Sequence, residues 1–196
     1  MTAFRYFTAT TLDGFLADDD DNLDWLLSQP IEESGPMNHT DFIADVGALV
    51  MGATTYRWLL DHEVTAGRPW PYSVPTFLFT HRDDVAVSQT IRVVSGDPRD
   101  LRAQIVSAAG DRDVWVVGGG DLAAQFADAG MLDEILVSIA PVTLGSGRPL
   151  FTAAYDLTLT SVERNSAFVC ARYDVVGPRR AGVGPGDVGS GDVSPG

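Results

Sequence analysis

The chain has 196 residues, 45% of them hydrophobic, enough for one sizeable core and a single domain. A formal net charge of −14 and a pI near 4.3 oppose general attraction to nucleic acid or an anionic membrane surface. No apolar run approaches the ~20 residues that cross a bilayer, and the first residues lack the pattern of a signal peptide, so a cytoplasmic location is expected.

Residues 4–11 are rich in aromatic and β-branched side chains and read as a strand, closed by the turn signal Asp13-Gly14. The acidic run Asp18-Asp-Asp-Asp21 reads as a solvated loop. Asn22 or Asp24 suits the cap of a short turn holding Trp25, Leu26 and Leu27, and residues 30–38 look irregular. Thr40 or Asp41 suits the cap of a helix whose apolar side includes Phe42, Ile43 and Val46. Residues 48–51 form a short apolar strand, Gly52-Ala-Thr-Thr55 a turn, and residues 56–60 a helix. The polar stretch 61–72, with two prolines, reads as loop. Strands follow at 75–80 and 91–95, and apolar spacing predicts a helix over 98–109.

The run Val114-Trp-Val-Val-Gly-Gly-Gly-Asp121 then passes from strand to glycine turn, with a helix expected over 122–129. A strand at 133–140 is stopped by Pro141, a glycine-rich loop occupies 142–151, and antiparallel strands are expected at 157–162 and 167–176. From 177 the composition turns to Gly, Pro, Asp and Ser, the signature of a disordered tail. The expected organisation is one domain over 1–176 and a tail over 177–196. Alternating strands and helices predict a three-layer α/β fold, with a mainly parallel twisted sheet and C-terminal antiparallel strands.

Each of the two strand–glycine–helix turns, at Gly52 and at Gly118, suits an anion such as a nucleotide phosphate, or is a tight strand-to-helix turn with no ligand. Gly118-x-Gly120-x-x-Ala123 loosely matches the dinucleotide fingerprint, but no acidic residue ends the next strand, so its usual context is missing. The single Cys170 lies in an apolar stretch and excludes an internal disulfide. His39, His62 and His81 show no paired spacing, so no metal site is expected.

The chain resembles the dihydrofolate reductase superfamily, and most closely the branch containing the reductase domain of the bifunctional riboflavin-biosynthesis enzyme. The likeness is carried by Ala9-Thr-Thr-Leu-Asp-Gly-Phe-Leu-Ala17, Val50-Met-Gly-Ala-Thr-Thr-Tyr56, Phe77-Leu-Phe-Thr-His-Arg82, Val116-Val-Gly-Gly-Gly120 and Leu144-Gly-Ser-Gly-Arg-Pro-Leu-Phe151. Leu132-Asp-Glu-Ile135 and Ala140-Pro141 add to it, and the set runs in the family's order over 4–176.

The resemblance implies an NADPH-dependent reductase of a small planar heterocycle, pterin-like or pyrimidine-like, acting by direct hydride transfer. It places Ala9 and Leu16 at the nicotinamide. Gly52, Ala53, Thr54 and Thr55 fall at the diphosphate, faced by Gly118, Gly119, Gly120, Asp121 and Leu122. Thr80, His81 and Arg82 fall around the adenosine ribose and its 2′-phosphate. It also implies a homodimer. Two positions depart from the family pattern. Ala53 replaces an arginine, which weakens the preference for NADPH over NADH. Val117 stands where riboflavin-pathway reductases commonly carry Glu, which argues against that pathway's ribosylated pyrimidine.

Pterin reduction also needs a proton on nitrogen. Dihydrofolate reductases place a carboxylate near the position occupied here by Pro36. Spacing selects none of Asp24, Glu32, Glu33 and Asp41. Asp24, beside Trp25, is the better candidate because an aromatic neighbour would desolvate it. Asp41 suits a cap and Asp13 a turn, so the catalytic residues stay unassigned. Trp25, Phe42 or Trp58 would wall the substrate pocket. Two other functions fit the same residues: a nucleotide-binding member that has lost catalysis, and a partner-binding domain without cofactor.

Overall fold

The computed structural model describes residues 2–82 and 90–180. Six parallel strands and two antiparallel ones form a single sheet in the order β5-β4-β3-β6-β1-β7-β10-β9. In chain order these are β1 (Phe4–Thr11), β3 (Val46–Gly52), β4 (Thr76–Phe79), β5 (Ile91–Val94), β6 (Asp113–Gly118), β7 (Glu134–Ala140), β9 (Tyr155–Asn165) and β10 (Phe168–Pro178). A small two-stranded ribbon of β2 (Phe15–Ala17) and β8 (Arg148–Pro149) lies apart from it. The expected mainly parallel α/β sheet with terminal antiparallel strands is the observed one.

The apolar run of β3 is continuous because both of its edges and both of its faces are covered, as in buried parallel strands. Side chains alternate between two cores. On one face Phe4, Tyr6, Val50, Phe77, Val114 and Val116 pack against Ile105 and Phe126. Those two belong to α4 (Pro98–Ala109) and α5 (Gly120–Asp128). On the other face Leu49, Met51, Leu78 and Trp115 pack against Tyr56 and Leu59 of α3 (Ala53–Leu59). Burying one aromatic or branched side chain this way stabilises the fold by about 1.5–3 kcal/mol.

Helix boundaries follow local chemistry. The predicted 98–109 helix is observed with those bounds, since Asp97 accepts the Arg99 N–H and Pro98 suits the first turn. The short α1 (Asp24–Leu27) has Asn22 accepting the Asp24 N–H at 2.8 Å. The cap expected at Thr40 or Asp41 is instead Asn38, whose Oδ1 accepts the Asp41 N–H at 2.8 Å; α2 runs His39–Ala44. Val46 belongs to β3 rather than to that helix. The stretch expected to be loop from 61 opens with a π-helical turn, Leu60–Val64, because Leu60 still packs on the core and the prolines begin only at 69. Helix α5 starts inside the glycine run rather than at Leu122.

The C-terminal hairpin is longer than its apolar patterning suggests, because backbone pairing carries β9 and β10 past their apolar residues, as far as the Tyr155–Pro178 pair. Asn165, buried at its turn, accepts the Glu32 N–H and donates to the Glu32 and Pro36 carbonyls. The tail expected from 177 lies, from 181 onward, outside the described residues.

Candidate functional site

The chain leaves β3 and β6, neighbours in the sheet, toward opposite faces: α3 joins one core and α5 the other. Ligands of open parallel sheets bind in the crevice that such a divergence opens at the carboxyl ends of the strands. Here that crevice is a cavity of about 800 Å³ running from the glycine turns to an aromatic floor. This is within the usual range for small-molecule sites.

One end is backbone. Gly52 and Gly119 are the N-caps of α3 and α5, and neither helix receives a side-chain cap, so no side chain takes their first-turn N–H groups. The three consecutive glycines have three different reasons. Gly118 adopts φ +129°, and the Gly118–Gly119 peptide is cis. Gly120 lies against the carbonyls of Pro149 and Leu150, where any Cβ would collide. Gly119 has an ordinary φ of −74° and nothing within 4 Å of where a Cβ would stand. Neither packing nor conformation requires glycine there; what a Cβ would occupy is the cavity.

The predicted residues Ala9, Leu16, Gly52–Thr55, Thr80, His81 and Gly118–Leu122 all line this one cavity, together with Ser95 and Gly96. Arg82 follows His81 directly, exposed, and is not part of the lining. Its backbone N–H donates to Thr80 Oγ1 at 3.1 Å. Asp121 accepts from Gln125 Nε2 at 3.0 Å.

The other end is ring-shaped side chains. Trp115 stands at its centre, donating Nε1–H to the Phe7 carbonyl at 3.0 Å and meeting His39 and Tyr72 edge-on at 5.5 and 5.6 Å. Phe7, Met37, Trp58 and Phe168 complete the wall. Phe42 stacks behind Phe7 at 4.1 Å, and Trp25 is buried in a separate cluster. Of the three aromatics expected to wall the pocket, Trp58 does so. Burial lowers the His39 pKa and favours its neutral form, and burial with the Glu63 charge pushes the Tyr72 hydroxyl up to about 12.

None of the carboxylates weighed for proton delivery, Asp24, Glu32, Glu33 and Asp41, lines the cavity. Asp24 bonds Asn22, and Asp41 accepts from Asn38 Nδ2 at 2.8 Å. His39 stands there instead. Sequence reasoning passed over it because a lone histidine has no telling spacing; its place depends on the Asn38 cap that orients α2. Among the described residues no cluster of His, Cys, Asp or Glu could hold a metal ion.

The rim is tied together by polar contacts across the chain. The Asp13 carboxylate accepts the Leu144 and Gly145 N–H groups, at 3.1 and 2.7 Å, and the Thr11 hydroxyl at 2.6 Å. The Thr11 hydroxyl, then the Gly145 N–H, hold its pKa below the ordinary carboxylate value. Ser146 donates to Asp19, and Arg148 pairs with Asp21, both at 2.6 Å. The acidic run expected to be merely solvated thus supplies two of the rim's anchors.

The family model of the RibD C-terminal domain matches residues 4–171. YwjB of Bacillus subtilis (strain 168) is 30% identical over 146 residues, covering 74% of this chain and 80% of that protein. A putative riboflavin biosynthesis protein from Shewanella sp. PV-4 superposes with a TM-score of 0.74 at 28% identity, over 89% of this chain and 99% of that one. Dihydrofolate reductase from Enterococcus faecalis, solved with NADP(H), shares the fold, with a TM-score of 0.53 at 13% identity over 88% of this chain and 96% of its own.

Proposed function

Because the chain belongs to the RibD C-terminal domain family, with a dihydrofolate-reductase-like fold, we propose that it is an NADPH-dependent reductase of a small planar heterocycle, pterin-like or pyrimidine-like. The observation that carries the reading is the continuity of the cleft, in which two helix N-termini without side-chain caps open into an aromatic wall. The residues fit the cofactor: Gly119 leaves open space where any other residue would intrude.

In this reading Gly52–Thr55 and Gly118–Leu122 hold the diphosphate through backbone N–H groups and helix termini. Thr80, His81 and Arg82 hold the ribose and its 2′-phosphate, the guanidinium suiting a phosphate monoester. Ala9 and Leu16 border the nicotinamide. The cofactor supplies a hydride; the protein orients the rings, and the Trp115 wall excludes water from between them.

Thermal shift with NADPH and NADH tests this, since a ligand that binds only the folded state raises its apparent stability. A larger shift with NADPH than with NADH is expected, and no shift with either sinks the reading. A second reading rests on the placing of Asp24, Glu32, Glu33 and Asp41 outside the cavity lining: a member that binds nucleotide but does not turn over. Cofactor binding without NADPH oxidation by any pterin or pyrimidine would establish it.

Among the described residues no helix is long and apolar enough to cross a membrane. The exposed Leu157, Leu159 and Val162 on edge strand β9 support a homodimer through the sheet, which light scattering would detect.

A further inference from the structure

The helices around the cleft start differently at its two ends. Both α3 and α5 begin at glycine caps with no side-chain cap, and Asp121 stands in the first turn of α5. On the aromatic side Asn38 caps α2 through the Asp41 N–H, Asn22 accepts the Asp24 N–H beside α1, whose N-cap Leu23 gives no side-chain cap, and Asp24 and Asp41 stand in the first turns. The start of α2 therefore offers an anion fewer unpaired N–H groups than the starts of α3 and α5 do.

Side chains reinforce the split. The chain has no lysine, and all 13 of its cationic residues are arginines within the described residues. Arg148 alone lines the cavity. It is held by Asp21 at 2.6 Å, and the Asp19 charge acts on it as well, so the rim beside the aromatic wall carries no net positive charge. On the wall itself the polar groups include Thr8, His39, Tyr72, Ser138 and the Trp58 indole N–H, none of them a fixed cation. Desolvation favours neutral His39, and the Tyr72 hydroxyl stays protonated at neutral pH. Enclosing a phosphate or carboxylate against such a wall leaves a charge without partner, which is far more costly than burying a neutral ring.

We infer that the aromatic end accepts an uncharged planar ring without a phosphate or carboxylate substituent, in contrast to the anionic ligand at the glycine end. The inference rests on the reductase reading and narrows its substrate to unphosphorylated heterocycles. Trp115 and Trp58 supply stacking surface. His39 and Tyr72 supply hydrogen bonds to ring carbonyls and nitrogens.

The test uses two matched pairs of probes at neutral pH: uridine against uridine 5′-monophosphate, and pterin against pterin-6-carboxylate. Each is titrated into the full chain with and without saturating NADPH, and binding is read by tryptophan fluorescence. The neutral member of each pair is expected to bind at least about tenfold more tightly, a difference of about 1.4 kcal/mol. Equal or tighter binding of the charged members overturns the inference, as does failure of both neutral rings to bind. In Asp21→Asn, Arg148 loses its partner and the discrimination is expected to fall several-fold. An unchanged ratio, in a variant that NADPH still stabilises, removes the electrostatic basis and also overturns it. Failure of NADPH to stabilise the wild-type chain is a different result and counts against the reductase reading.

Discussion

The two ends of the cleft are built from different materials. The glycine end is made of main chain, where three small residues and two helix starts bring N–H groups to the surface. The aromatic end is made of side chains from β1, β6, β10, α2, α3 and the loops that carry Met37 and Tyr72, held by edge-on rings and one indole hydrogen bond. A main-chain site tolerates almost no added atom; a side-chain site tolerates none removed. Each end is therefore to be broken by the opposite kind of substitution.

The largest effect is expected from Trp115→Ala. Trp115 is 5% exposed and belongs to the core as well as the wall, so its truncation should cost roughly 3–5 kcal/mol and abolish ring binding. Chemical denaturation with a fluorescence titration of a neutral ring measures both.

Next come two neighbouring glycines with contrasting roles. Gly120→Ala drives a methyl into the Pro149 and Leu150 carbonyls and should destabilise by about 1–3 kcal/mol, lowering Tm by several degrees. Gly119→Ala meets nothing and should leave Tm of the free protein almost unchanged. NADPH affinity should nevertheless fall about tenfold or more. If Gly119→Ala binds NADPH like the wild type, the glycine end holds no diphosphate.

The smallest effect concerns pH. Burial lowers the His39 pKa in the folded state, so below the ordinary imidazole value the unfolded chain binds more protons. Stability should fall as pH drops from about 7 to about 5, and His39→Gln should flatten that part of the Tm profile. A titration of the His39 ring by NMR with a midpoint at or above the ordinary value would contradict this.

The glycine end was legible in the sequence because its chemistry is local. A β-branched run, a glycine and a helix follow one another within a few residues at both Gly52 and Gly118, and both turns meet across the β3–β6 pair. The aromatic end was not legible. Trp115 and Phe7 are brought together by strand pairing, and His39 by a helix capped at Asn38 rather than at the equally suitable Thr40 or Asp41. Only Trp58, close behind a glycine turn, was anticipated there. The rim escaped for the same reason: Asp13 and Gly145 are 132 positions apart, and an acidic run alone gives no sign of its partners.

The flush seat of Gly120 on the Pro149 and Leu150 carbonyls joins the two ends mechanically. At Gly120 the nearest atoms of that segment are backbone. Leu150 N–H in turn bonds the Gly14 carbonyl, and Pro149 pairs with Phe15. A push on the first turn of α5 would therefore pass, backbone to backbone, to the β2–β8 ribbon, whose Leu16, Ala17 and Arg148 line the cavity. Filling the glycine end should thus stiffen this ribbon before any ring arrives, giving an ordered sequence of binding. Amide hydrogen exchange reports it directly: NADPH should slow exchange at Leu150, and an unaltered rate there would mean the two ends fill independently.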